Sequence, residues 1–338
     1  MTQRELAATI KEVAIKGRGI LAADESTATI TKRFQAIGVE STEENRRSYR
    51  ELLFTTEGLG EFISGVILYE ETLSQKTAKG ETFVKVLQQQ GIVPGIKVDM
   101  GLINLANTAD EKVTQGLDGL PERLAKYKAL GARFAKWRAV FNIDAQHPST
   151  LATKTNAEAL ARYAAICQSL GIVPIVEPEL LIDGNHSFER CKEATEEVLH
   201  SVFNALHRHK VVLEHMILKP SMVIAGQDCK EQASIDAVAK ATVEVLLRTV
   251  PAAVPSIKFL SGGQSSALAT ANLNAMNALN PQLPWQLSFS YGRALQDTAL
   301  KAWGGKAENV AKAQQELFKR AKLNSAACWG KYSDAMEG

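Results

Sequence analysis

The sequence predicts an α/β chain folded as a single (β/α)8 barrel of the TIM type. Three observations carry that prediction. Eight short apolar runs recur along the 338 residues, segments of helical spacing separate them, and ionisable or hydroxyl side chains sit at the ends of most runs. Near-continuous apolar strands suit a parallel sheet covered on both faces, and strands alternating with helices imply right-handed βαβ units. Eight such units fit closure better than an open, doubly wound sheet. A helical solenoid, the rival for a repeat of about 40 residues, would lack β-branched runs such as GIVPIVEP and GIVPGIKV.

The runs, in order, are 19–25 (GILAADE), 65–71 (GVILYEE), 93–99 (VPGIKVD), 132–138 (ARFAKWR), 173–179 (VPIVEPE), 213–220 (LEHMILKP), 256–262 (SIKFLSG) and 284–290 (PWQLSFS). Between them, Ser41 with Glu44 reads as a capping box ahead of RRSYRELLF, and Thr155 with Glu158 as another ahead of ALARYAAICQSL. Gly171 is expected to close that second helix. Leu199, Val202, Phe203 and Leu206 mark the apolar face of the helix after Asn185. No hairpin turn is expected. With no Pro/Ser-rich linker, the expectation is one domain over residues 1–338, with an N-terminal helix at about 3–16 and a helical extension at about 306–338.

Composition narrows the class. Hydrophobic residues make up 45% and charged residues 22%, the balance of a globular protein with a large core. Lys+Arg less Asp+Glu is 39 − 37 = +2, too little for a nucleic-acid partner, so an anionic ligand needs a local cluster of cations. Cys167, Cys191, Cys229 and Cys328 show no CxxC or zinc spacing and read as free thiols of a reducing compartment. The start of the chain lacks a signal or transit character and no apolar run approaches ~18 residues. The expectation is a cytoplasmic protein with no membrane partner.

The ends of the runs carry the functional signal. Asp24 closes the first, Lys97 and Asp99 the third, Lys136 and Arg138 the fourth, Glu177 and Glu179 the fifth, Lys219 the sixth and Ser261 the seventh. Ser290 closes the eighth, with Arg293 just beyond. The carboxyl ends of barrel strands form the catalytic face, and residues two apart on a strand share a side. A lone strand-end charge is most often solvated; ionisable groups on this many strand ends, amid apolar neighbours, point to a site.

Lys219 lies in ILKPSM. Its flanks Ile217, Leu218 and Pro220, together with a second cation at Lys136, favour the uncharged amine, which attacks a ketone to form an iminium and opens a route to C–C cleavage. Such chemistry needs a proton carrier, for which Glu177 and Glu179 are the natural pair because two close carboxylates titrate apart. It also needs a base for the neighbouring hydroxyl, for which Asp24 stands at a different strand end. Small residues in SGGQS (261–265) let backbone N–H groups approach an anion, and YGR (291–293) adds the Gly292 amide and the Arg293 guanidinium. These are the loops after strands seven and eight, where barrels commonly hold phosphate.

Together these segments resemble the class I fructose-bisphosphate aldolase family. The resemblance rests on GILAADEST (19–27), TEENRRSYRELL (42–53), GVILYEETL (65–73), GIKVD (95–99), TQGLDGL (114–120), FAKWR (134–138), GIVPIVEPE (171–179), LKPSM (218–222), FLSGGQS (259–265), NLNAMN (272–277), FSYGRALQ (289–296) and ALKAWGG (299–305). It implies that Lys219 forms the Schiff base and Glu177 is the acid/base of imine formation, with Glu179 and Lys136 shaping its electrostatics. It implies that Asp24 takes the C4-hydroxyl proton, and that Lys97 and Ser26 hold the distal phosphate, with the Thr29 hydroxyl available to it. Ser261, Gly262 and Arg293 would hold the C1 phosphate, supported by Lys32 and Arg33, while Arg138 positions the substrate. The resemblance further implies a homotetramer acting on a sugar phosphate with no cofactor and no metal. Two departures stand out. Ala28 and Thr29 replace a glycine and a serine of many relatives, and KYSDAMEG lacks the tyrosine-ended tail that assists proton exchange, so an altered bisphosphate preference or an altered rate of the later half-reaction is expected. Three alternatives stay open: a metal-dependent aldolase, which would need clustered histidines; a Schiff-base lyase of broader specificity; and a non-catalytic scaffold.

Overall fold

The computed structural model describes residues 2–279 and 282–338. Eight parallel strands close on themselves: β1 (Gly19–Ala23), β2 (Ile63–Leu68), β3 (Val93–Lys97), β6 (Phe134–Phe141), β7 (Val173–Leu180), β8 (Ile217–Leu218), β9 (Ser256–Phe259) and β10 (Gln286–Tyr291). Each pairs with its chain neighbour, and β1 meets both β2 and β10. All eight predicted runs are therefore strands of one barrel.

The remaining two strands correct the expectation of no hairpin. β4 (Leu102–Asn104) and β5 (Lys112–Thr114) pair antiparallel outside the barrel, between β3 and β6. They are three residues each, too short for alternation to be read, and Asn107 and Asp110 at φ +63° and +61° turn the chain between them. Asn and Asp tolerate that left-handed region better than most residues. Two caps also move. Thr42, not Ser41, caps Glu43–Phe54 by accepting from Asn45 N–H, and Ser149 caps a helix spanning Thr150–Ser169, so Thr155 lies inside it. Gly171 does follow that helix at φ +72°.

The core has two shells. Outward side chains of the strands pack against the surrounding helices, while Ile20, Ile67, Val93, Phe134, Val173, Ile175 and Ile217 fill the barrel's interior. Leu6 and Val13 of the helix Thr2–Val13 join this inner cluster and plug the end where the strands begin. Phe134 dominates the floor. A Cβ on Gly95 would lie 2.2 Å from its ring and one on Gly65 3.0 Å, so two strands give up side chains to seat one aromatic. The plugged end leaves the carboxyl ends of the strands as the open mouth. Among the described residues, no helix is long and apolar enough to cross a membrane.

Candidate active site

A cavity of about 690 Å³ occupies that mouth, and every strand-end residue singled out in the sequence except Asp99 lines it. β1 supplies Asp24 just past its end, β3 Lys97, β6 Lys136 and Arg138, β7 Glu177 and Glu179, and the segment after β8 Lys219. Although the β8 ladder covers only two residues, Lys219 N–H donates to the Val176 carbonyl at 2.8 Å and so carries the pairing one residue further. The backbone of Lys219 is thereby fixed beside β7, from which Glu177 projects.

The charges form a chain. Lys219 Nζ is 2.9 Å from Glu177 Oε1. Glu177 Oε2 is 3.2 Å from Lys136 Nζ, which in turn lies 2.7 Å from Asp24 Oδ2. All four side chains are almost wholly buried. Burial by itself would raise the Asp24 value, but Lys136, then Lys219 and Lys97, hold it well below the usual carboxylate range. Burial likewise opposes ionisation of Glu177, and Lys136, Lys219 and Arg138 outweigh it and lower its value. Lys136, pulled down by burial, is driven well above the ordinary lysine value by Asp24 and Glu177. Glu177 Oε2 is buried, with the Lys136 ammonium as its charged neighbour.

This arrangement corrects two expectations about how the groups act on one another. Glu179 does not share a proton field with Glu177: its carboxylate pairs with Arg138 at the rim, and the like charge opposing Glu177 is Asp24. Side chains from different strands converge at the centre of a barrel, whereas the long Arg138 captures Glu179 from the neighbouring strand. Nor does Lys219 stand alone among apolar flanks, since Glu177 is its direct partner.

Two corners rich in hydroxyls, backbone N–H groups and cations flank the chain. On one side Ser26 caps the helix Thr27–Gln35, its hydroxyl 3.1 Å from that of Thr29, and Lys97 meets Asp99 Oδ1 at 2.6 Å nearby in the same lining. On the other, Gly262 and Gly263 at φ +54° and +81° turn the chain from β9 into the helix Ser266–Leu279. Gly292 and Arg293 follow β10, and Arg293 Nη2 comes within 3.7 Å of where Gly263 would carry a Cβ. Helix starts and glycine turns of this kind present N–H groups and positive potential to an anion. Lys32 and Arg33 line the same wall, with Arg33 held by Glu25.

The family model described as fructose-bisphosphate aldolase class-I matches residues 5–338. The chain belongs to that family. It is 57% identical over 335 residues to "Fructose-bisphosphate aldolase 4, cytosolic" of Arabidopsis thaliana, covering 99% of this chain and 85% of the relative. It is also 57% identical to "Fructose-bisphosphate aldolase 1" of Toxoplasma gondii, over 99% of this chain and 93% of that one. Among solved structures it superposes with a TM-score of 0.97 and 54% identity on a fructose-bisphosphate aldolase from Plasmodium falciparum, crystallised with TRAP and a small-molecule inhibitor, covering 98% and 96% of the two chains.

Within this class I member, two lining residues escaped a role in the sequence reading. Ser290 is legible as a strand-end hydroxyl; the residue lines the cavity, and its Oγ is buried without a hydrogen-bond partner. Glu25 was masked by its neighbour Asp24, because only the fold reveals the two arginines that meet it.

Proposed function

We propose that the chain reversibly cleaves fructose 1,6-bisphosphate to dihydroxyacetone phosphate and glyceraldehyde 3-phosphate through a Schiff base on Lys219. The observation that carries the reading is the buried Lys219–Glu177–Lys136–Asp24 chain between two anion-binding corners. Lys219 Nζ passes a proton to Glu177 and attacks the C2 ketone. Glu177 then protonates the carbinolamine hydroxyl, which leaves as water to give the iminium. Asp24 takes the C4-hydroxyl proton, the C3–C4 bond breaks, and its electron pair moves into the iminium to form an enamine. Glyceraldehyde 3-phosphate departs; protonation of the enamine and hydrolysis release the second product and the amine. Lys136 keeps Asp24 ionised for its task. The ketone-side phosphate sits on Ser261, Gly262, Gly292 and Arg293, with Lys32 and Arg33 beside it. The distal phosphate sits on Ser26, Thr29 and Lys97, while Arg138 and Glu179 order the rim.

Borohydride reduction in the presence of dihydroxyacetone phosphate, followed by peptide mass mapping, tests this. The adduct is expected on Lys219, and turnover without an adduct there overturns the mechanism. Cleavage is expected to persist in EDTA. The reading extends to a cytoplasmic homotetramer, supported by relatives named cytosolic or cytoplasmic and by Met100, Leu102 and Ile103, exposed at 64%, 40% and 46% around the hairpin, which a second copy would cover. Sedimentation should give four chains, and charged residues at 102 and 103 should lower that number.

A further inference from the structure

Behind the ketone-side corner lies a buried network that the reaction scheme does not use. Glu25 Oε1 pairs with Arg33 Nη1 and accepts from Gln296 Nε2 at 2.9 Å, while its Oε2 is 2.6 Å from Arg50 Nη1. Gln296 also donates to the Ala22 carbonyl at 2.7 Å and accepts from the Tyr49 hydroxyl at 3.1 Å. Side chains from three separate helices, Arg33, Arg50 and Gln296, thus meet on one carboxylate. Arg50 is only 3% exposed and does not line the cavity, whereas Arg33 does. Arg33 Nη2 lies 3.8 Å from where Gly292 would carry a Cβ, next to the loop that delivers Arg293.

We propose that Glu25 and Arg50 together form a positioning device that aims the Arg33 guanidinium at the ketone-side phosphate without cancelling its charge. A lone carboxylate on Arg33 would fix the guanidinium but neutralise it. With Arg50 added, one negative charge faces two positive ones, and a net positive charge remains for the ligand. Gln296, itself fixed by Tyr49, holds the carboxylate in one rotamer, so Arg33 has little freedom to swing away. Burial disfavours the ionised form of Glu25, and Arg50 and then Arg33 more than offset it, so the carboxylate stays charged. The device deepens the proposed function and rests on its assignment of that corner to a phosphate.

Calorimetric titration of inorganic phosphate into the full chain needs no turnover, so a failure to cleave the sugar remains distinguishable from a failure of this proposal. Glu25→Gln is expected to weaken phosphate binding and raise KM by about tenfold while kcat changes less than about threefold. In an Arg33→Ala background the same substitution should change neither. Arg50→Met, which lets Glu25 claim the whole charge of Arg33, should weaken phosphate as much as Glu25→Gln does, and Arg50→Lys should restore most of the loss. Phosphate affinity untouched by Glu25→Gln, or weakened equally with and without Arg33, overturns the proposal. Should Arg50→Met not fold, the Glu25/Arg33 cycle decides alone.

Discussion

Two inward-facing lysines sit on adjoining strands and behave in opposite ways. Leu218 is in register with Ile257, so Lys219 and Lys258 occupy matching positions just after them. Ile257 and Phe259 pack outward into the core, which turns Lys258 to the interior, as Lys219 is turned. Both are buried, Lys219 at 3% exposure and Lys258 at 0%. Lys219 has the carboxylate of Glu177 against it and opens on a cavity. Lys258 donates to the Arg18 carbonyl at 2.9 Å, pairs with no acid, and is pushed by burial down to about 8, with Cys328 pulling weakly the other way. Burial makes an amine costly; only partners and space make it chemically useful.

Replacing the lysine that opens on the cavity should have the largest effect. Lys219→Met should reduce cleavage by at least about four orders of magnitude, on the order of 5 kcal/mol in the barrier, with the circular dichroism spectrum unchanged. Retained turnover would erase the distinction between the two amines. Lys136→Met comes next. It leaves Asp24 and Glu177 facing each other with no cation between them, and the loss of a buried ion-pair partner should lower stability by about 3–5 kcal/mol in a denaturant titration, along with kcat.

Lys258→Met should instead leave turnover close to normal and raise stability at neutral pH. A lysine whose value is lower in the folded than in the unfolded chain binds fewer protons when folded, so its contribution to stability grows as pH rises. From about 8 to its ordinary value of 10.5, that growth amounts to about 3 kcal/mol. The advantage of the methionine variant should therefore shrink by that much over this interval, measured by chemical unfolding at fixed pH; a constant difference would show that Lys258 binds its proton as tightly in the folded as in the unfolded chain. The smallest effect belongs to the rim. Glu179→Gln frees a partly exposed Arg138 and should change kcat/KM by less than about tenfold.

The same contrast explains what could be read without coordinates. Strand identity was legible because each run is apolar and short, and the site because its charged residues interrupt apolar runs at their ends, as in GIVPIVEPE and MILKP. Lys258 in SIKFLSG was not singled out, since a mid-strand lysine looks alike in sequence whether it faces the interior or a solvated surface. Pairings were illegible for another reason. Glu179 is two residues from Glu177, yet Asp24, distant in sequence, is the carboxylate that opposes Glu177, because barrel closure brings the ends of separate strands together. Caps shifted because hydroxyl residues cluster at helix starts: Ser41 and Thr42 are equally plausible by composition, and only the Asn45 N–H selects Thr42.

Phe134, wedged over Gly65 and Gly95, lies two residues before Lys136 on β6. The ring therefore works as a gauge block that sets how high that strand rides against β2 and β3, and with it how far Lys136 reaches toward Asp24. A bulkier residue at 95 is tolerable only if 134 shrinks in step, so these positions are bound to change together, and errors in the floor would surface as misaligned protons in the mouth above.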